Sequence, residues 1–479
     1  MLAATHGVTP VSFGKPEHGS IAYGANGTMI YTPDPGFTGT DQLPATVSDA
    51  VKLYAENTPP LATVGGVVIQ ANSHGSAIAA VPGSVGEIYG LTDRGPAVDG
   101  RIAGEKVLPL PDFHPQIVKL KLAAGTASVE RAVTLCGTDG VPLVGLADSR
   151  AGSGESLVDL NGRVLAPSDH GLDPEGLVAM PDGGFWVSDE YGPSLVHFDA
   201  NGKELERLSP SDGTLPKELS LRAPNQGMEG LTITPDGTTL VGIMHSALRT
   251  PAGPSGSVPV TRIVTVGLTD RGDVHEYLYP LTDPQQTKVA VSEITAIGAT
   301  TFLVDERDNK PAPQGNKKIY VTDIAGATDV GPRATVPGSA YRPDAGGLLV
   351  GGVPIETFVG VSTDAAATNR LKGAGIAVAS KAPKLNLGAL LRTLSPNGDF
   401  FGHEKVEGLV TPDAGKTLLV ANESDYGLAG LAPGSDTPPF RLEPKKLSNG
   451  TQDSGEILSV DMAKVPVKMD EVTVPIVVG

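Results

Sequence analysis

The sequence predicts an all-β chain: a β-propeller of five to seven blades behind a small N-terminal β segment. Three observations predict it. Short apolar runs such as "KKIYVTDI" (317–324) and "TLLVAN" (417–422) recur between clusters of Gly, Pro, Asn and Asp. The 61 glycines and 41 prolines break up long helical windows, while a hydrophobic share of 39% leaves ample material for a core. A unit of strand, Pro-Asp turn and strand also repeats at irregular spacing, as the blades of a propeller do. A parallel β-helix fits less well, because its coils are shorter and more regular.

Residues 1–58 come first and differ from the rest. They contain alternating strands, an Asn-Gly hairpin turn at Asn26–Gly27 and a Pro-Gly-Phe-Thr-Gly-Thr turn. The propeller is expected over 59–479. Its units are "DPEGLVAMPDGGFWVSDEYG" (173–192), "GMEGLTITPDGTTLVGIMHS" (227–246) and "KVEGLVTPDAGKTLLVANES" (405–424). Residues 291–309 form a fourth copy with Ile after the Glu, and 74–95 a fifth copy without the Glu. A third strand follows most copies, as in "PQIVKLKL" and "GEILSVDM". Residues 139–172 and 331–400 read as insertions or degenerate blades. The C-terminal run "EVTVPIVVG" (471–479) is β-branched and apolar, and is expected inside a blade, beside Leu61–Gln70 or within its own blade.

Each copy ends its strands in carboxylates. In a propeller the innermost strands line a central channel, so Glu175, Glu229, Glu293 and Glu407 are expected to converge at its mouth. The returning strands would place Asp93, Asp189, Glu190, Asp305, Glu306, Asn422 and Glu423 on one rim. Carboxylates crowded into a small volume must either raise their pKa values or bind cations. A hard, oxygen-liganded cation relieves them, Ca²⁺ first and other divalent metals next. The metal set is therefore Asp93, Glu175, Asp189, Glu229, Glu293, Asp305, Glu407, Asn422 and Glu423. No linear EF-hand loop is present, so a site must be assembled from separate units. The plainer alternative is that these strand-end acids bond backbone amides and hold one unit to the next.

Basic residues sit among the acids. Arg94 follows Asp93, Arg307 follows Glu306, and Lys405 precedes Glu407. The planar fork of Arg94 and Arg307 suits an anionic ester such as a phosphate, and each also suits a salt bridge to its neighbouring acid. Glu190 and Glu306 are the candidate bases. His245 is a further candidate, with His74 at an equivalent position, and Trp186 and Tyr191 read as packing residues.

Other classes are excluded. With 36 basic against 54 acidic residues the formal charge is −18, which disfavours nucleic acid and anionic membrane surfaces. Cys136 is the single cysteine, so no internal disulfide forms. No apolar run reaches the ~18 residues of a membrane span. The start "MLAATHG" does not read as a signal peptide. Gly-x-Ser-x-Gly and His-Glu-x-x-His are both absent, and "GKT" (415–417) lacks the earlier glycine of a P-loop.

The motifs "LTDRGP", "DPEGLVAMPDGGFWVSDEYGPSLVHFDANGKELERL", "NQGMEGLTITPDGTTLVGIMHSA", "SEITAIGATTFLVDERDN" and "VEGLVTPDAGKTLLVANESDYG" occur in that order over roughly 60–479. Together they resemble the bacterial phytase-like family, described as having esterase-like activity of phytase. Residues 1–58 resemble part of a bacterial cadherin-like or Ig-like repeat. The resemblance implies a secreted propeller that hydrolyses phosphate esters with the help of a metal. The Glu-Gly opening is also similar to that of calcium-dependent sugar lactonases, so lactone hydrolysis is a second reading. A non-enzymatic extracellular scaffold with structural calcium is a third.

Overall fold

A computed structural model describes residues 7–23, 29–152, 154–251 and 253–479. The Asn26–Gly27 turn lies outside these residues. The chain is largely β, with five four-stranded antiparallel units at its centre.

Unit I comprises Ala77–Ala80, Glu87–Leu91, Gln116–Ala123 and Thr126–Thr134. Unit II comprises Pro174–Ala179, Phe185–Asp189, Ser194–Phe198 and Glu204–Leu208. Unit III comprises Met228–Ile233, Thr239–Met244, Val260–Gly267 and Val274–Pro280. Unit IV runs Ala290–Ala296, Thr301–Arg307, Lys317–Asp323 and Ser380–Leu385. Unit V runs Lys405–Val410, Thr417–Glu423 and Glu456–Asp461, with Val51–Glu56 as its fourth strand. A short parallel pairing of Val51–Glu56 with Thr126–Thr134 merges units V and I into one eight-stranded sheet. The two end strands of that sheet touch, so it nearly closes on itself.

The first strands of the five units touch in sequence, I to II to III to IV to V and back to I. A separate apolar cluster fills each gap between neighbours. Ala77 and Leu91 meet Phe185 and Val187 between I and II, and Trp186 and Leu195 meet Leu231 and Leu240 between II and III. Ile243 and Ile263 meet Ile294 and Phe302 between III and IV, Leu303 and Ile319 meet Leu409 and Leu418 between IV and V, and Ile78 and Ile88 meet Val410 and Ile457 between V and I. Both faces of each unit are thus covered, which is why these strands read as near-continuous apolar runs. Each fully buried Leu, Ile or Val contributes roughly 1.5–3 kcal/mol.

The Pro-Asp turns work as turn chemistry predicts. Asp182 accepts the Gly184 amide at 3.0 Å, and Asp236 accepts the Thr238 amide at 3.1 Å.

The C-terminal expectation is corrected. Asp470–Val478 pairs with Gly39–Ser48 of the N-terminal module, in a three-stranded sheet completed by Thr9–Phe13. Its side chains alternate between half-buried and exposed, as suits a sheet with one covered face, and Pro475 is tolerated because the strand is an edge. Leu61–Gln70 instead holds a small hairpin, Ala62–Val64 with Val67–Ile69.

Residues 139–172 contribute Ser156–Asp159 to a small sheet with Val98–Asp99 and Glu105–Leu108. Residues 331–400 contain a small three-stranded sheet, the helices Ile355–Val359, Asp364–Gly373 and Leu387–Leu394, and the outer strand of unit IV. Among the described residues no helix is long and apolar enough to cross a membrane.

Candidate functional site

The first strand of each of units II to V opens with a bulge. In unit II, Pro174 pairs with Asp189 and Gly176 with Ser188, leaving Glu175 as the extra residue. In unit III the pairs Met228–Met244 and Gly230–Ile243 leave Glu229. In unit V the pairs Val406–Asn422 and Leu409–Val420 leave Glu407 and Gly408. A bulge re-aims the side chain of its extra residue. The glycine that follows each Glu has a packing reason. A Cβ on Gly176 would lie 2.6 Å from the Leu231 nitrogen, and one on Gly230 would lie 2.6 Å from the Ile294 nitrogen. The Glu-Gly motif therefore marks a place where neighbouring backbones approach closely and a carboxylate turns inward.

Side chains alternate along the returning strand. The residues paired at the bulge are Asp189, Met244, Glu306 and Asn422. Their immediate successors Glu190, His245, Arg307 and Glu423 face one central cavity of about 820 Å³, which Asp93 of unit I also lines. Arg94, Glu175, Glu229, Lys405 and Glu407 complete its charged wall, with Asn225, Arg249, Lys288 and Asp425 nearby.

Five expected site residues lie elsewhere, each for a local reason. Asp189 accepts the backbone amides of Asp173, Tyr191 and Gly192 at 3.0–3.2 Å, and the Ser194 hydroxyl at 2.9 Å. Glu293 is offset by one residue: Val291 pairs with Glu306 and Glu293 with Asp305, so Ser292 is the bulged residue of unit IV. Glu293 instead occupies the glycine position and accepts the amides of Leu231 and Ile294 at 3.0 and 2.9 Å. Glu306 points away from the cavity, toward the Tyr279 hydroxyl at 2.9 Å and the Lys381 ammonium. Asn422 accepts the Glu456 amide at 2.7 Å and donates to the Ser454 carbonyl at 3.1 Å. Asp305 sits two residues deeper in its strand than Arg307, buried and outside the cavity lining. His74 is likewise buried against Glu56, and Trp186 stacks on His197 with ring centroids 4.6 Å apart.

The cations of the wall are held by hydrogen bonds. Arg94 donates through Nη1 to Glu155 and to the Tyr191 hydroxyl, both at 2.8 Å, and through Nη2 to Asn225 at 2.6 Å. Arg307 donates to the Ser292 hydroxyl at 2.8 Å and pairs with Glu407. Lys405 bridges Glu423 at 3.0 Å and Asp425 at 2.8 Å.

The acids are not all satisfied. Neither oxygen of Asp173 has a hydrogen-bond partner, although Oδ2 lies 3.4 Å from Arg94 Nη1, and Glu229 Oε2, Glu407 Oε2 and Glu423 Oε1 are buried without one as well. Burial, then Asp93 and Asp173, push Glu175 well above the carboxylate range, and burial, then Glu229, does the same to Glu190. Burial, with Asp173 and Glu423 adding to it, likewise raises Asp93. Burial also works to raise Glu423, but Lys405 overcomes it and holds that group well below the usual range.

Two groups can hold a divalent cation: Asp93, Asp173 and Glu175, and Glu190, Glu229 and His245. In each group one ligand atom per residue lies within 4.8 Å of the others. Buried, unpartnered carboxylate oxygens fit such an ion. Sequence reasoning missed Asp173, Glu155 and Asn225. Asp173 had a signal, because it stands two residues before Glu175 in the repeat, and Asn225 heads the motif "NQGMEGLTITPDGTTLVGIMHSA", whereas Glu155 comes from a loop without a motif.

A family model described as phytase-like, with esterase-like activity of phytase, matches residues 73–426, and a model described as a bacterial Ig domain matches residues 3–59. An uncharacterized secreted protein of Arthroderma benhamiae is 32% identical over 194 residues, which span 31% of this chain and 37% of that protein. A luciferin-regenerating enzyme aligns over 95% of this chain and 94% of its own at 10% identity, with a TM-score of 0.28. A protein from Lactobacillus plantarum aligns over 88% of this chain and 99% of its own at 9% identity, with a TM-score of 0.31. Neither structural likeness is close enough to bear on fold or chemistry.

Proposed function

The chain belongs to the phytase-like family, with an N-terminal bacterial Ig-like domain, and from that premise we propose that it is an extracellular, metal-dependent hydrolase of small anionic esters, phosphate esters first. The single observation that carries this reading is the central cavity, where unsatisfied carboxylates face fixed cations from separate strands. The ring of five four-stranded units packed face to face supports a five-bladed propeller, with Val51–Glu56 closing it. The likeness to a secreted fungal protein supports the location.

In this reading Asp93, Asp173 and Glu175 hold a divalent cation, with Ca²⁺ the best match to an all-oxygen set. Such an ion, when bound, neutralises ester oxygens and lowers the pKa of a bound water. Arg94 and Arg307 orient the anionic group and offset the charge that builds on it. Arg94 Nε is buried with no hydrogen-bond partner, the Asp93 carboxylate lying 4.0 Å away. Glu407 is pushed above the carboxylate range by burial and then by Glu423, and it pairs with Arg307 at the cavity wall.

The test is phosphate release from small phosphomonoesters, with and without a chelator. Release that stops with chelator, returns with Ca²⁺ and falls at least tenfold in Arg307→Ala supports the proposal. No release from any phosphoester, together with opening of lactones, replaces it with the lactonase reading.

A further inference from the structure

We infer that Glu190, Glu229 and His245 form a second cation site of different chemistry, selective for a borderline transition metal such as Zn²⁺ over Ca²⁺. The inference rests on the cavity reading above but not on the reaction assigned to it. The three residues come from two neighbouring units. Glu190 follows the second strand of unit II, while Glu229 and His245 face each other across the bulged end of the first hairpin of unit III. His245 Nδ1 lies 3.0 Å from Glu229 Oε1, yet it makes no hydrogen bond there, and Glu229 Oε2 is also unpartnered. Glu229 is 4% exposed and Glu190 2% exposed, so water does not freely satisfy them.

The backbone fixes the ligand that sets the selectivity. The His245 amide donates to the Gly227 carbonyl at 2.9 Å, and its carbonyl accepts the Val291 amide at 3.1 Å, tying the residue to units III and IV. An imidazole nitrogen beside two carboxylates is a donor set that Zn²⁺, Co²⁺ and Mn²⁺ accept and that Ca²⁺ disfavours. The other group, Asp93, Asp173 and Glu175, offers oxygen alone. Three ligands from the protein would leave coordination positions open toward the cavity.

The experiment is calorimetric titration of the chelator-stripped full chain with Zn²⁺ alone and with Ca²⁺ alone, repeated in His245→Gln, Glu190→Gln and Asp173→Asn. Binding of Zn²⁺ is expected to weaken at least tenfold in His245→Gln and Glu190→Gln while Ca²⁺ binding holds, which also shows that those variants fold. In Asp173→Asn the loss should fall on Ca²⁺ and spare Zn²⁺. Co²⁺ loaded in place of Zn²⁺ should give a visible absorption band that His245→Gln shifts. Unchanged Zn²⁺ binding in both His245→Gln and Glu190→Gln would overturn the site. Competition of Zn²⁺ and Ca²⁺ for one site would overturn it equally. Neither result depends on whether the chain hydrolyses phosphate esters.

Discussion

Asp189 and Glu190 are consecutive and do opposite things. The first turns into its sheet and accepts three backbone amides and a hydroxyl, while the second turns into the cavity. Asp189→Ala would leave buried amides unpaired, at about 1–3 kcal/mol for such a group, so chemical denaturation should show a loss of roughly 2–4 kcal/mol. A loss under about 0.5 kcal/mol would mean that the amides find other partners. Asp305 sets a pH dependence. Burial, against the pull of Lys317 and Arg307, pushes it up to about 7, and both of its oxygens lack partners. Unfolded, it releases its proton near ~4. Between those values the native state keeps a proton that the unfolded state has lost, so this group's contribution to stability falls as pH rises from about 4 to about 7. Asp305→Asn should flatten the thermal midpoint against pH over that window; curves parallel to wild type would rule the assignment out. The sequence displayed these acids but not their directions. A shift of one residue reverses a strand side chain, and the bulges that set the phase leave no mark in "VSEITA" comparable to the Glu-Gly of the other copies.

Elements were more legible than residues. The Pro-Asp hairpins and the strand that follows each of them stand where the repeat placed them, because turn chemistry and apolar runs are local signals. Partners distant in sequence were not legible. Val51–Glu56 adds to the last unit and Asp470–Val478 adds to the N-terminal module, a crossed exchange that local patterning does not specify. Pro475 was the available hint, since proline belongs on an edge strand. The two strands therefore differ in what their loss does. Deleting residues 470–479 should unravel the N-terminal module and leave the cavity chemistry intact, seen as retained cation binding beside a new low-temperature transition. Val51→Asp buries a charge between units IV and V and should destabilise the central sheets by roughly 3–5 kcal/mol. A deletion that abolished cation binding would show instead that the ring depends on the C-terminal strand.

For the whole molecule, five units bring residues from 93 to 423 around one cavity, and the account turns on what that cavity is for. The carboxylates repeated at the strand ends pointed to cations in the sequence, and the family resemblance pointed to ester hydrolysis. The cationic wall of Arg249 and Lys288 emerged only from the fold, because both lie outside the recurring motif, whereas Asp173 stands inside it and only the fold sets it beside Asp93. The proposed ion would stabilise the chain, since a ligand held only by the native state stabilises it by about 2.7 kcal/mol at a hundredfold excess over its Kd. The most direct measurement is the thermal midpoint of the chelator-stripped chain against added Ca²⁺, paired with metal analysis of the protein as purified. The account predicts a midpoint that rises with the logarithm of free Ca²⁺, falls again with chelator, and loses this response in Asp173→Asn. A midpoint indifferent to Ca²⁺, in a protein that carries no metal, would contradict it.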